Sequence, residues 1–276
     1  MQAALIQTTS SDDPRENLAR ISAKIRSAVN DGAGFVLTPE VSNCVSSSRS
    51  HQQGVLQFET DDLSLAGYRA LAAELGIWLL IGSLALKTGD ADGRFANRSF
   101  VIDPSGTVTS RYDKIHMFDV DVTPEETYRE SDGYRPGARA IVSETPFGKL
   151  GLSICYDVRF AYLYRALAKA GAEILTVPAA FSPVTGKAHW ESLLRARAIE
   201  TGCYVLAPAQ TGTHSVSRGK ERRTYGHSLA ISPWGEVLAD GGTEEGVVAV
   251  ELDPSKVAEA RGKIAALRHD REFEGP

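Results

Sequence analysis

Ser99-Phe-Val-Ile-Asp-Pro-Ser-Gly-Thr-Val108 and Ser228-Leu-Ala-Ile-Ser-Pro-Trp-Gly-Glu-Val237 carry Ser, Ile, Pro, Gly and Val at the same offsets. Each reads as an apolar strand, a Pro-x-Gly turn and a returning strand, which is the pattern of a β-hairpin. The segments before the two copies are also alike. Ahead of the first lie a strand at 3–7, a helix, a strand at 35–37, a second helix and a long apolar strand at 78–86. Asp13-Pro14-Arg15-Glu16 marks the first helix start, with a capping residue, a proline at the first helical position and a glutamate three after the cap. Leu18, Ile21, Ile25 and Val29 follow at helical spacing, and Leu65, Tyr68, Leu71, Ala72 and Leu75 mark the second helix. Ahead of the second copy lie a strand at 150–154, a helix through Phe160, Leu163, Tyr164 and Leu167, and a strand at 174–177. A helix through Trp190, Leu193, Leu194 and Arg197 and a strand at 204–208 follow. Phe35-Val-Leu-Thr-Pro39 and Ile174-Leu-Thr-Val-Pro178 correspond loosely.

Two halves of strand, helix, strand, helix, strand and hairpin predict an α/β chain. Its two similar sheets pack face to face with helices outside, a four-layer α-β-β-α sandwich of two pseudo-symmetric halves. No linker divides the chain, so residues 1–276 are expected to form a single domain. A strand at 247–252 and a helix at 254–267, capped by Asp253, follow the second hairpin, and the charged tail from Arg268 packs on a partner or frays. Residues 117–145 are polar and contain Pro124 and Pro136. They are expected to form a long irregular loop, of the kind that is often functional in a compact domain.

Composition narrows the function. The chain is 42% hydrophobic and 24% charged, with 30 basic and 35 acidic residues and a formal net charge of −5. That argues against a nucleic-acid wrapper or a protein that docks on anionic membranes. No apolar run approaches the ~18–20 residues of a spanning helix, and the N-terminus has no basic region before an apolar core, so no secretory signal is expected. Cys44, Cys155 and Cys203 are an odd, scattered set, which points to a reduced, cytoplasmic setting rather than a disulfide framework. Neither C-x-x-C nor H-x-x-x-H occurs, so no metal site is expected.

Three residues stand where chemistry gathers in α/β folds, at the carboxyl ends of strands. Cys155 follows an apolar strand and precedes a helix, a corner like a nucleophile elbow. The helix start there is expected to favour thiolate. Glu40 follows the strand at 35–37 and Pro39. Lys114 ends the first hairpin, in Arg111-Tyr-Asp-Lys-Ile-His116. Taken singly, each has a bland reading: a buried thiol, a solvated loop glutamate, a surface lysine. A cysteine nucleophile needs a base, and His51, His116, His189, His214, His227 and His269 are all open to that role, none in a recognisable signature.

Thr38-Pro39-Glu40, Tyr112-Asp-Lys-Ile-His-Met-Phe-Asp119 and Leu152-Ser-Ile-Cys-Tyr-Asp157 resemble the three signature blocks of the nitrilase (carbon–nitrogen hydrolase) superfamily, in its order and spacing. The resemblance covers nearly the whole chain and implies the same sandwich. It implies Glu40 as general base, Lys114 as oxyanion stabiliser, Cys155 as nucleophile and Glu130 as a second, orienting glutamate. No metal or organic cofactor is implied. Tyr156-Asp157 after the cysteine resembles the amidase branch. The run 186–201, with Tyr225-Gly-His-Ser228, is similar to the branch that hydrolyses deaminated glutathione. Phe118-Asp-Val-Asp121 is close to the ω-amidase branch acting on α-ketoglutaramate. Those substrates are anionic, so Tyr156, Arg159, His116, Phe118 and Phe181 are candidate substrate-binding residues, with Arg129, Arg135 and Arg139 as further cations. A carbamoylase or nitrile hydrolase with the same triad and a catalytically silent partner-binding sandwich are the competing readings. The family pattern also implies a homodimer, or a higher oligomer built from that dimer, through the helices at 159–170 and 190–200, with Tyr162 exposed.

Overall fold

The computed structural model describes residues 1–124 and 126–275. Its first half runs β1 (Gln2–Gln7), α1 (Pro14–Asn30), β2 (Phe35–Leu37), α2 (Arg49–Val55), α3 (Leu63–Leu75), β3 (Trp78–Lys87), β4 (Phe95–Ile102) and β5 (Val108–Asp113). A small hairpin of β6 (Asp119–Thr123) and β7 (Glu126–Arg129) leads to the second half. This comprises β8 (Val142–Thr145), β9 (Gly148–Leu152), α4 (Ala161–Lys169), β10 (Ile174–Thr176), α5 (Pro183–Thr201) and β11 (Tyr204–Ala207). There follow β12 (Thr211–His214), β13 (Arg222–Tyr225), β14 (Leu229–Ile231), β15 (Val237–Asp240), β16 (Gly246–Glu251) and α6 (Ser255–Lys263).

The two large sheets have matching strand orders, β16-β1-β2-β3-β4-β5 and β8-β9-β10-β11-β14-β15. In each, three parallel strands are flanked by antiparallel ones. The repeat extends to irregularities. The β4–β5 register shifts between Val101 and Ile102, and the β14–β15 register shifts at the equivalent Ala230 and Ile231. Asp103 Oδ1 accepts from the amides of Ser105 and Thr107, and Ser232 Oγ accepts from those of Trp234 and Glu236. Both turns then need a left-handed residue, supplied by Gly106 at φ 79° and Gly235 at φ 90°.

Alternation along the strands builds the layers. Ala4, Ile6, Val36, Leu79 and Ile81 pack with Ile21 and Ile25 of α1 and Leu65, Tyr68 and Leu71 of α3. Ala3, Leu5, Phe35, Leu37 and Leu80 point the other way and join Leu150, Leu152, Leu175 and Val205 of the second sheet. The Asp13 carboxylate caps α1 at the Arg15 and Glu16 amides, and Gly76 and Gly202 end α3 and α5 in the left-handed conformation. Among the described residues no helix is long and apolar enough to cross a membrane.

Several expectations need correction. Residues 117–145 are not an irregular loop: they hold the β6–β7 hairpin and β8. The sequence reading missed α2 and the β12–β13 hairpin. The final helix stops at Lys263, where Ile264 turns extended, and a separate 3-10 turn covers Ala266–Arg268. The tail folds back on its own chain, where Asp270 pairs with Arg165 and Lys169 of α4. Trp190, one of the apolar residues that mark α5, packs inward. Its ring is buried against Phe181 and its Nε1 donates to the His227 carbonyl, 2.8 Å away.

Candidate active site

Glu40, Lys114 and Cys155 each stand just beyond a strand: β2, β5 and β9 respectively. Facing sheets bring these strand ends to one edge. The backbone beyond β2 is held closely, since the Thr38 amide donates to Leu80 O at 3.0 Å and the Thr38 hydroxyl accepts from the Gly82 amide at 3.0 Å. The Lys114 amide continues the ladder with Asn97 O at 2.9 Å. Cys155 has φ 50°, an uncommon conformation for a side-chain-bearing residue, and its amide donates to Pro178 O at 2.9 Å. Such strain fits a residue held by its surroundings in a functional geometry.

Buried Asp157 joins these loops. Its Oδ2 accepts from the Ile154 amide at 2.9 Å and the Tyr112 hydroxyl at 2.7 Å, and its Oδ1 from the His116 amide at 3.0 Å. One carboxylate thus ties the residue before Cys155 to residues two before and two after Lys114.

The Lys114 ammonium donates to Glu40 Oε1 at 2.8 Å and to Glu130 Oε1 and Oε2 at 2.9 and 2.8 Å. Asn97 Nδ2 also donates to Glu40 Oε1, at 2.9 Å, and the Ala180 amide donates to Glu40 Oε2 at 2.8 Å. The Phe118 amide fixes Glu130 Oε2 at 2.7 Å. The Cys155 thiol lies close enough to the Glu40 carboxylate and the Ala180 amide for both to act on its ionisation. These groups open on a cavity of about 440 Å³ that Phe118, Tyr128, Tyr134, Tyr156 and Phe181 also line.

Charge decides the resting protonation. Burial opposes ionisation of Glu40, yet the charges of Lys114 and Arg222 and the Lys114 hydrogen bond together hold its pKa below the ordinary carboxylate value. Burial likewise opposes the Lys114 cation, but Glu130 and Glu40 outweigh it and raise its pKa well above that of a free lysine. Burial and the Glu40 charge push the Cys155 thiol up, against smaller opposing effects of Lys114 and the Ala180 amide. The expected thiolate at a helix start is therefore corrected. Cys155 opens a five-residue 3-10 turn, Cys155–Arg159, while α4 starts only at Ala161. The thiol rests protonated beside an ionised carboxylate.

A family model described as carbon-nitrogen hydrolase matches residues 2–262. The chain belongs to the carbon–nitrogen hydrolase family. It is 39% identical over 269 residues to the deaminated glutathione amidase of Yersinia enterocolitica, covering 97% of this chain and 92% of that protein. The NitFhit protein of C. elegans superposes with a TM-score of 0.89 at 36% identity, over 98% of this chain and 65% of that one. A mutant amidase from Nesterenkonia sp. AN1, in which acrylamide has added to the active site cysteine, superposes with a TM-score of 0.77 at 27% identity, over 96% of this chain and 98% of that chain. The nitrilase-type sandwich expected from the repeat is thus shared with family members.

In this carbon–nitrogen hydrolase, Glu40, Lys114, Cys155, Glu130, Tyr156, Phe118 and Phe181 all meet at the cavity. His116 and Arg159 do not line it. His116 is drawn away by Asp157 Oδ1, 2.7 Å from its Nδ1, and stacks on Phe160 at 3.6 Å. Arg159 lies 3.3 Å from His189 Nδ1, over the rings of Phe181 and Tyr156. Arg135 pairs with Asp90 and Asp113, and Arg139 is exposed away from the cavity. Arg129 does line it, but grips Asp121 with contacts of 2.7 and 3.0 Å. Sequence reasoning missed Asn97, the Ala180 amide and Arg222. Asn97 stands beside Arg98 and Ser99 in β4, so its polarity alone did not single it out. The other two depend on contacts between distant segments.

Proposed function

We propose that this protein hydrolyses small carboxylated amides, of the deaminated glutathione or α-ketoglutaramate kind, to acid and ammonia through a Cys155 thioester. The observation that carries this reading is the ionised Glu40 carboxylate set between the Lys114 ammonium and the Cys155 thiol at the floor of a ligand-sized cavity. The names of the relatives support the substrate class.

The resting proton distribution dictates the order of events. Removing the thiol proton first is unfavourable, because the thiol pKa is raised and the Glu40 pKa lowered. The proton therefore moves to Glu40 as sulfur bonds to the amide carbon. The oxyanion forms against the Lys114 ammonium and the Tyr156 amide, which lies in the turn that Cys155 opens. Glu40 passes its proton to the amide nitrogen, the C–N bond breaks, and ammonia leaves a thioester. Glu40 then takes a proton from water as the oxygen attacks the thioester carbon, and the thiol is restored. Glu130 and Asn97 hold the charged pair in register. This chemistry uses neither a metal nor an organic cofactor. The assembled Glu40–Lys114–Cys155 group counts against a silent partner-binding module.

The three free, buried cysteines fit a reducing, cytoplasmic setting. A homodimer through α4 and α5 fits the exposure of Tyr162, Val184 and Ile199, which are 67%, 50% and 53% accessible. Ammonia release from a panel of ω-amides, nitriles and N-carbamoyl acids tests the assignment. The carboxylated ω-amides should give the highest kcat/KM; faster turnover of nitriles or carbamoyl acids would replace it.

A further inference from the structure

We infer that Arg222 receives the carboxylate of the substrate and thereby sets specificity; this rests on the carboxylated-amide reading above. Among the described residues, four cationic side chains line the cavity: Lys114, Arg49, Arg129 and Arg222. Three are committed. Lys114 is held by Glu40 and Glu130. Arg129 is held by Asp121. Arg49 donates to the carbonyls of Gly133 and Gly93 and lies over the Phe95 ring. Arg222 is different. Like Arg49 it has no carboxylate within ion-pair distance among the described residues, but unlike Arg49 it keeps a buried Nε with no hydrogen-bond partner. Its contacts are neutral: Nη2 donates to Ala180 O at 2.6 Å, and the guanidinium lies over the Tyr128 ring, 5.9 Å from its centroid.

Ala180 makes the placement chemically specific. Its carbonyl holds Arg222 while its amide holds Glu40 Oε2. The free guanidinium and the general base are thus fastened to opposite ends of one residue. The backbone there is itself pinned, since the Tyr225 amide of β13 donates to Phe181 O at 2.9 Å. Glu126 at the same wall accepts from the hydroxyls of Tyr128 and Ser182. Cys155 and Arg222 line the same cavity and both act on Glu40, so an ω-amide with its amide carbon at Cys155 has Arg222 as the least committed cation to meet its carboxylate. The planar fork can meet both oxygens in a partly dry site, where charge-assisted bonds are strong. A chain of net charge −5 repels small anions, so such a local cation is required for their capture.

The test compares kcat/KM for α-ketoglutaramate and for its methyl ester in the unmodified protein, Arg222→Met and Arg222→Lys, each with a thermal melt. The unmodified protein should favour the acid. Arg222→Met should reduce the acid-to-ester ratio roughly 10- to 100-fold, mainly through KM for the acid, as expected for a lost charge-assisted hydrogen bond. Arg222→Lys, with a point charge in place of the fork, should fall between the two. A wild-type ratio in either folded variant overturns the inference, and if Arg222→Met does not fold, the lysine variant decides alone. No preference in the unmodified protein would instead overturn the carboxylated-substrate reading.

Discussion

Lys114 is enclosed by two carboxylates, and its ammonium donates to three of their oxygens. A guanidinium keeps the charge but spreads its donors over a plane, so it cannot occupy that compact node. Lys114→Arg should lower kcat by about 10²-fold or more, as for loss of an oxyanion donor. Near-normal kcat in steady-state assays would remove Lys114 from the reaction. The pair also fixes the pH response. Glu40 has a lowered pKa, so its ionised form and the stability it brings are fully present above the ordinary carboxylate pKa of about 4.3 and are lost as pH falls through the lowered value. Lys114 has a raised pKa, so its contribution is full below the ordinary value of about 10.4 and is lost only as pH rises past the raised one. The acid limb of kcat/KM assigned to Glu40 should therefore fall below pH ~4.3, and a Glu40 limb near pH 6 in the profile would contradict the geometry. At this scale the sequence was informative where a residue type sits in a recognisable block, as for Glu40, Lys114 and Cys155. It misled at His116, whose neighbour in sequence is close to the chemistry but whose ring is claimed by Asp157. It was silent on Arg222, because nothing local says which distant backbone an arginine will meet.

The element that positions the base is the bend in β3. The β3–β4 register shifts between Ile81 and Leu84, and Gly82 lies against the chain leading to Glu40. A Cβ at Gly82 would stand 2.0 Å from Thr38 O, 2.6 Å from Pro39 O and 2.5 Å from Pro178 Cβ, so backbone must shift. Gly82→Ala should destabilise by at least the ~1–3 kcal/mol of an overpacked core, a drop of several degrees in Tm, and should lower kcat with it by displacing Glu40. Calorimetry with an activity assay on the same sample checks both; an unchanged Tm would mean that the contact is not rigid. Buried elements were legible because periodicity and caps act locally, as in α1 and β2. The β6–β7 hairpin was not. Val120 and Val122 do alternate with Asp119 and Asp121, but aspartate is a poor strand former and Pro124 reads as a break. The 3-10 turn at Cys155 was read as the start of a helix because α4 begins only two residues after that turn ends.

At the scale of the whole molecule, the site exists because two similar halves close on each other. Glu40 and Lys114 come from the first sheet and Cys155 from the second, while β16 from the end of the chain completes the first sheet beside β1. The repeated hairpin made the two halves legible, since Asp103 and Ser232 build the same turn from nearby atoms. The crossing of β16 and the cavity wall at β13 were not legible, since they join residues more than two hundred positions apart or segments with no shared pattern. The exposed faces of α4 and α5 should pair two copies, so light scattering at micromolar concentration should give about twice the 29.7 kDa of one chain. A single-chain mass would leave Tyr162 and Ile199 without a dimer role. The proposed reaction stands or falls on the attack of Cys155 on the amide to form a thioester. Its most direct test is ammonia release from a carboxylated ω-amide by Cys155→Ala beside the unmodified protein, with thermal melts of both. Turnover should vanish while the melt stays near native, because the change removes one buried sulfur. Turnover above a few per cent of normal, with a native melt, would contradict it.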